Sequence, residues 1–247
     1  MKKIILVPFC IIISLISGKF LFDRYSDNAE ESPENHGYLS KSYANLNPLM
    51  TDFYQLTMSS VYYATGRKDE EATFYMFWRN PPFKGSYTLA VGLEGVIDFL
   101  NNFYFDSESI AYLKRLKDKN GKPMFKDDFL AYLTTLELDV NVDAVPEGTV
   151  MLGQGPVIRI SGPLIQCQLI ETAILNIMNS NSIVATRAAR ISSVLNKHGA
   201  TVADFSLRRA PSLDLSVPRA AYIGGVLATA NIDAGMKLGS PIVGTMA

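Results

Sequence analysis

The sequence predicts an α/β fold: an N-terminal α+β domain followed by an incomplete (β/α) barrel with about three strand–helix units present. Three short strand-like runs near the end of the chain carry this expectation. Val202–Leu207 runs into Arg208-Arg209, Gly225–Ala228 into Thr229-Ala230-Asn231, and Pro241–Gly244 into Thr245-Met246-Ala247. Helix-compatible stretches separate the runs, and repeated strand–helix units with polar residues at the strand C-termini are how a barrel builds its site. A closed barrel needs about eight strands, so three predict an incomplete one. The third observation is bulk: 247 residues, 48% hydrophobic and 19% charged, support one or two globular domains.

The elements follow in order. Lys2-Lys3 precede an apolar run, Ile4–Ile16, interrupted only by Ser14. It is short of the roughly 20 residues a membrane span needs and suits a signal-peptide core. With Phe20–Phe22 added it could be an uncleaved anchor; residues 1–22 read equally as a signal-like or anchor-like targeting segment and as an upstream extension or misplaced start. Residues 23–47 are polar, with Asp27, Glu30, Glu31, Pro33, Glu34 and Gly37, and read as a linker.

Residues 48–162 form the α+β domain. Thr51-Asp52 caps a helix that turns Phe53, Leu56, Val61 and Tyr62 toward a core and ends at Gly66. Ala72–Arg79 alternates as a strand, with Phe74, Met76 and Trp78 on one face and Tyr75, Phe77 and Arg79 on the other. Pro81-Pro82 stops it. Tyr87–Val91 is a strand and Leu93–Leu100 a helix, and amphipathic helices cover Ser107–Leu116 and Lys126–Leu136. Val140–Val145, Thr149–Leu152 and Val157–Ser161 make a β section turned by Pro146-Glu147-Gly148.

Residues 163–247 hold the connecting helices and the barrel units. Pro163 opens a helix through Met178 that is apolar nearly all round and therefore buried. A second helix spans Ser182–His198, closed by Gly199. Cysteines occur only at Cys10 and Cys167, which gives no disulfide framework and suits a reducing compartment; Cys167 reads as a buried thiol. The net charge is −1 with no long basic tract, so nothing points to nucleic acid.

Several ordered motifs resemble one family. They are Leu49-Met-Thr-Asp-Phe-Tyr-Gln-Leu-Thr-Met58, Phe77-Trp-Arg-Asn-Pro-Pro-Phe83, Gly92-Leu-Glu94, Pro146-Glu-Gly148, Gly162-Pro-Leu164, Gln168-Leu-Ile-Glu171 and Val184-Ala-Thr-Arg-Ala-Ala-Arg190. Asp204-Phe-Ser-Leu-Arg-Arg-Ala210, Arg219-Ala-Ala-Tyr-Ile-Gly-Gly225 and Gly244-Thr-Met-Ala247 complete the set. Together, over residues 47–247, they resemble nicotinate phosphoribosyltransferase, a type II phosphoribosyltransferase of NAD salvage. The resemblance implies transfer of phosphoribosyl from phosphoribosyl pyrophosphate to nicotinate, coupled to ATP, with Mg²⁺, in a cytoplasmic homodimer.

The resemblance also assigns residues. Arg208, at the end of a predicted barrel strand, would pair a carboxylate or phosphate bidentately. Arg209 beside it points elsewhere. Phe205 would offer a ring face to the pyridine, although a core position suits it nearly as well. Tyr54 matches the nicotinate-contacting tyrosine, and Arg79 a phosphate-contacting cation, each supplied across the dimer interface. Thr245 resembles a nicotinate-contacting threonine. Thr229 and Asn231 lie where the family reads Gly-Thr-Ser-Asn, here Ala228-Thr-Ala-Asn231. An acidic residue at position 230 would mark nicotinamide users, so Ala230 favours the acid. Arg187 and Arg190 lie three apart on one helix face; they could serve the dimer or phosphates, but a solvated face suits them better.

The histidine that ATP phosphorylates in the family lies just past Ala247. His36, in the linker, and His198, at a helix end, do not replace it by motif. The resemblance therefore implies the N-terminal half of the enzyme, inactive alone and completed by a separate C-terminal half. Two alternatives stand beside this reading: a non-catalytic fragment that binds a partner or tethers to a membrane, and a transferase acting on quinolinate or nicotinamide.

Overall fold

The computed structural model describes residues 4–6, 43 and 45–245. Cys10, His36, the apolar run beyond Leu6, the linker through residue 42, and Met246-Ala247 lie outside the described residues.

The elements are β1 (Ile4–Leu6), α1 (Phe53–Ala64), β2 (Glu71–Met76), β3 (Thr88–Leu89), α2 (Leu93–Asn101), α3 (Ser107–Arg115) and α4 (Asp127–Thr134). After them come β4 (Asn141–Ala144), β5 (Val150–Met151), β6 (Ile158–Pro163), α5 (Leu164–Asn196), β7 (Ala203–Asp204), α6 (Ser216–Ile223), β8 (Ala228–Thr229) and α7 (Ile232–Leu238). The main sheet has the order β1-β4-β6-β2, with β1 parallel to β4 and the other pairs antiparallel. Strand β2 alternates as its sequence predicts: Met76 and Trp78 are buried while Tyr75 and Phe77 face out. Phe74 stands opposite Ile160 in the register. One core cluster joins this sheet to α1–α5, centred on side chains such as Phe129, Leu133, Ile165 and Ile170.

Helix α1 is rotated from its predicted setting. Phe53 and Val61 are 53% and 58% exposed, whereas Leu56 is buried as predicted and Gln55 and Ser59 join it inside. A polar seam sets the rotation. The Gln55 side-chain amide donates to Glu171 at 3.0 Å and accepts from the amide of Gln168, while Thr172 donates its hydroxyl to Asp52 at 2.9 Å. Buried amides must find partners, and here they outweigh two apolar side chains.

The predicted pair of helices after Pro163 is one continuous helix, α5, about 50 Å long. The predicted break between Met178 and Ser182 is helical throughout, and Ser182 and Thr186 serve the neighbouring backbone. Ser182 Oγ accepts from the Val91 N–H at 3.0 Å and donates to the Val91 carbonyl at 2.9 Å, and Thr186 Oγ1 accepts from the Leu89 N–H at 2.8 Å. These bonds satisfy the edge of β3, whose other edge pairs with β5. Gly92 then enters α2 with φ of 122°, and a Cβ there would meet the Ile177 carbonyl oxygen at 3.0 Å, so only glycine fits.

Beyond α5 the strands run parallel: β7 beside β8, with Asp204 opposite Thr229, and Ile242 bridging parallel to Thr229. They are shorter than predicted. Asp204 Oδ1 accepts from the Ser206 N–H at 2.8 Å and Thr229 Oγ1 from the Asn231 N–H at 3.0 Å. Both turns lead the chain out of the sheet. Arg208 consequently sits in a 3₁₀ turn, Leu207–Arg209, and not at a strand end. Helix α6 lies close on α5: a Cβ at Gly224 would approach the Ala185 carbonyl oxygen and Ala188 Cβ at 2.5 Å.

Candidate active site

The parallel strands put three loops at one edge. The Ala230 N–H donates to the Asp204 carbonyl at 2.8 Å, and the Val243 N–H donates to the Thr229 carbonyl at 3.0 Å. The chain therefore leaves β7, β8 and the Ile242 segment on the same side, at their C-terminal ends. Phe205, Arg208, Arg209 and Thr245 all follow this edge, and all four are exposed. Arg209 folds back, its Nη2 donating to the Phe205 carbonyl at 3.3 Å. The edge thus offers an aromatic residue, an exposed arginine and a hydroxyl.

Thr229 and Asn231 do not join them. They are only 4% and 6% exposed. Thr229 Oγ1 closes its own turn, and Asn231 Oδ1 accepts from the Ala234 N–H at 3.2 Å as the N-cap of α7. Their polarity is spent on ending β8 and starting a helix.

Tyr54 and Arg79 belong to the other end of the chain. Tyr54 is 48% exposed, and its hydroxyl accepts from the Gln55 amide at 2.9 Å. Partial burial raises its phenol pKa, and the nearby Glu171 and Asp52 raise it further. Arg79 is exposed just past β2, after a buried Trp78 whose indole N–H donates to Asn179 at 2.8 Å. Around them Phe53, Met58, Val61, Tyr75 and Phe77 are also exposed.

Arg187 and Arg190, read in sequence as a solvated face, are engaged with a turn. The Arg187 guanidinium lies 4.7 Å from the Phe83 ring centroid, and Arg190 Nη1 donates to the Phe83 carbonyl at 3.2 Å. The loop after Pro81-Pro82 thus touches α5 here, while Arg187 stays exposed and Arg190 half-buried, as a solvated face requires.

Sequence reasoning passed over a charged interlock. Arg219 of α6 pairs with Glu94 of α2 at 2.5 Å and with Glu147 at 2.6 Å, and the second Glu147 oxygen accepts from the Gly92 N–H at 2.6 Å. All three side chains are mostly buried. Asp98, one turn along α2 from Glu94, has a buried oxygen without a hydrogen-bond partner. Burial raises its pKa, and Arg219 pulls it partly back. The signal was in the motifs, since Glu94, Glu147 and Arg219 each sit in one. Their pairing needed the fold.

Residues 49–179 match the nicotinate phosphoribosyltransferase (NAPRTase) N-terminal domain. The nicotinate phosphoribosyltransferase of Caenorhabditis elegans is 42% identical over 203 residues, which covers 81% of this chain and 35% of that protein. The Bacillus subtilis nicotinate phosphoribosyltransferase is 38% identical over 201 residues, 81% of this chain and 39% of that one. The crystal structure of human nicotinic acid phosphoribosyltransferase superposes with a TM-score of 0.71 at 33% identity, covering 80% of this chain and 39% of the human one. A Pyrococcus furiosus structure titled nicotinate-nucleotide pyrophosphorylase, with a TM-score of 0.59 at 23% identity, shares the fold. The chain thus spans well under half the length of these relatives. With more than half of its residues matching the N-terminal domain, and with this mixed α/β architecture, the chain belongs to the nicotinate phosphoribosyltransferase family.

Proposed function

We propose that this chain contributes the substrate-contacting N-terminal part of a nicotinate phosphoribosyltransferase of NAD salvage. The carrying observation is the shared edge after β7, β8 and Ile242, from which Phe205, Arg208 and Thr245 emerge together. The parallel strands suit the first units of a (β/α) barrel, which further strands would close.

In the reaction the pyridine nitrogen attacks C1′ of phosphoribosyl pyrophosphate. The N–C1′ bond forms, the C1′–O bond breaks, and its electron pair leaves with pyrophosphate. Fixed charge and orientation are what a protein adds to such a step. Arg208 pairs the ring carboxylate or a phosphate, Phe205 stacks the pyridine, and Thr245 donates its hydroxyl to the carboxylate. Tyr54 and Arg79 reach nicotinate and phosphate in the neighbouring subunit of a homodimer, an arrangement favoured by the exposed apolar side chains around them.

Mg²⁺ and ATP belong to the proposal for the complete enzyme. The acids that would bind Mg²⁺ are assigned, by the family resemblance, to the C-terminal part of the enzyme. The reactive histidine is assigned to the C-terminal part of the enzyme, and turnover is proposed to need that part. The proposed location is cytoplasmic, where the cosubstrates are made; among the described residues no helix is long and apolar enough to cross a membrane.

Pyrophosphate release with nicotinate, phosphoribosyl pyrophosphate, Mg²⁺ and ATP tests the proposal, with nicotinamide and quinolinate as controls. Turnover with nicotinate is expected once the C-terminal part is supplied. Turnover by this chain alone would refute the need for that part, and no turnover in either case would refute the catalytic reading.

A further inference from the structure

Helix α5 grips the segment between β2 and β3 at two points. At one, the Trp78 indole N–H donates to Asn179 at 2.8 Å. At the other, Arg187 covers the Phe83 ring at 4.7 Å and Arg190 bonds the Phe83 carbonyl at 3.2 Å. Asn179 and Arg190 lie roughly three turns apart, about 16 Å along the helix. Arg79 stands on the span between the two grips, followed by Asn80 and two prolines whose φ angles are fixed. On its other side the span meets the 152–155 turn: the Gln154 N–H donates to the Trp78 carbonyl at 2.8 Å, and a Cβ at Gly153 would touch Pro81 at 3.3 Å.

The second grip holds an unusual backbone. Phe83 and Lys84 have φ of 60° and 52°, a left-handed region that non-glycine residues rarely adopt. Such conformations persist where surrounding contacts over-determine them. The contacts here are the two arginines, and Gly85 leaves room for one of them: a Cβ there would stand 3.1 Å from Arg190 Nη1. Among the described residues no carboxylate forms an ion pair with Arg187 or Arg190. Both guanidinium groups are directed to the turn.

We infer that Arg187 and Arg190 are positioning residues for Arg79: they fasten residues 79–85 to α5 and so fix where the Arg79 guanidinium meets a phosphate. The inference rests on the phosphate role proposed for Arg79. A lysine in either place could keep the charge and a donor to the carbonyl, but not the flat stack on Phe83.

The test compares the full chain with Arg187→Ala/Arg190→Ala, Arg187→Lys/Arg190→Lys and Arg79→Ala, using two readouts. Hydrogen exchange is followed in peptides covering residues 79–86, with α2 as the internal control, and inorganic pyrophosphate is titrated as the anion. In the alanine pair, exchange at 79–86 is expected to accelerate about tenfold while α2 is unchanged. Pyrophosphate affinity is expected to fall to that of Arg79→Ala and no further when the three changes are combined. The lysine pair should recover part of both. Unchanged exchange at 79–86, acceleration across the whole chain, or effects on pyrophosphate that simply multiply would each overturn the inference. If Arg79→Ala binds pyrophosphate as tightly as the parent, the phosphate role of Arg79 falls, and the exchange result alone decides whether the arginine pair fixes the segment.

Discussion

Arg208 emerges from the edge after β7 with its guanidinium exposed, while Arg209 beside it is turned back onto the Phe205 carbonyl. In the completed enzyme Arg208→Ala should lower kcat/KM for nicotinate about 100-fold. Arg208→Lys should recover only part of this, because an ammonium cannot reproduce the planar fork; steady-state pyrophosphate release checks both. Asp98 makes a prediction of a different kind. Its folded pKa is raised by burial above its ordinary value of 3.8, so protonation favours the folded state. That contribution is full below the ordinary value and is lost as pH rises through the raised one. Asp98→Asn should flatten this fall, and urea midpoints from about pH 4 to about pH 7 would show it; an unchanged slope would count against the assignment. Burial likewise pushes the Cys167 thiol to about 11. In a Cys10→Ser background the native protein should therefore resist thiol reagents until it is unfolded. Arg208 and Thr245 were legible as candidates from sequence because each follows a strand-like run. Arg219 was not, because Glu94 and Glu147 are distant in sequence and a lone arginine on a short helix reads as surface.

At the scale of elements, local pattern carried β2 and α2–α4, where alternation or helical period coincides with burial. It failed where polar residues serve a neighbour. Gln55, which the apolar pattern of α1 passes over, is its buried seam, and Ser182 and Thr186, in the first turns of the second predicted helix, are the hydrogen-bonding partners of Val91 and of Leu89 in β3. Period and propensity see only one element at a time, so a polar residue that satisfies another element's backbone is read as solvent-facing. Thr186→Val keeps the shape and removes the acceptor for the Leu89 N–H, which should cost about 1–3 kcal/mol in urea unfolding. Gly224→Ala should cost a similar amount, about 1–3 kcal/mol, by forcing α6 away from α5. A stability change within error for either variant would mean that these contacts relax freely.

At the scale of the whole molecule, two of the places that expose large apolar side chains bear on assembly. One surrounds Tyr54. The other is on the last units, where Ile232 and Met236 are each 72% exposed one turn apart on α7, and Ile242 is exposed on the outermost strand segment. Exposed apolar faces beside an unpaired strand edge promote association. The chain should therefore show concentration-dependent sedimentation, reduced in Ile232→Lys/Met236→Glu. Sedimentation that is unaltered by those changes would direct attention to the surface around Tyr54. Helix α5 has a consequence at this scale. Its first half is buried in the N-terminal core and its second half is the bed on which α6 lies, with no break in the helix between them. A rod shared in this way ties the fate of one region to the other: neither can melt while its neighbour stays intact without stripping contacts from the same helix. Calorimetry should therefore register a single endotherm for residues 45–245.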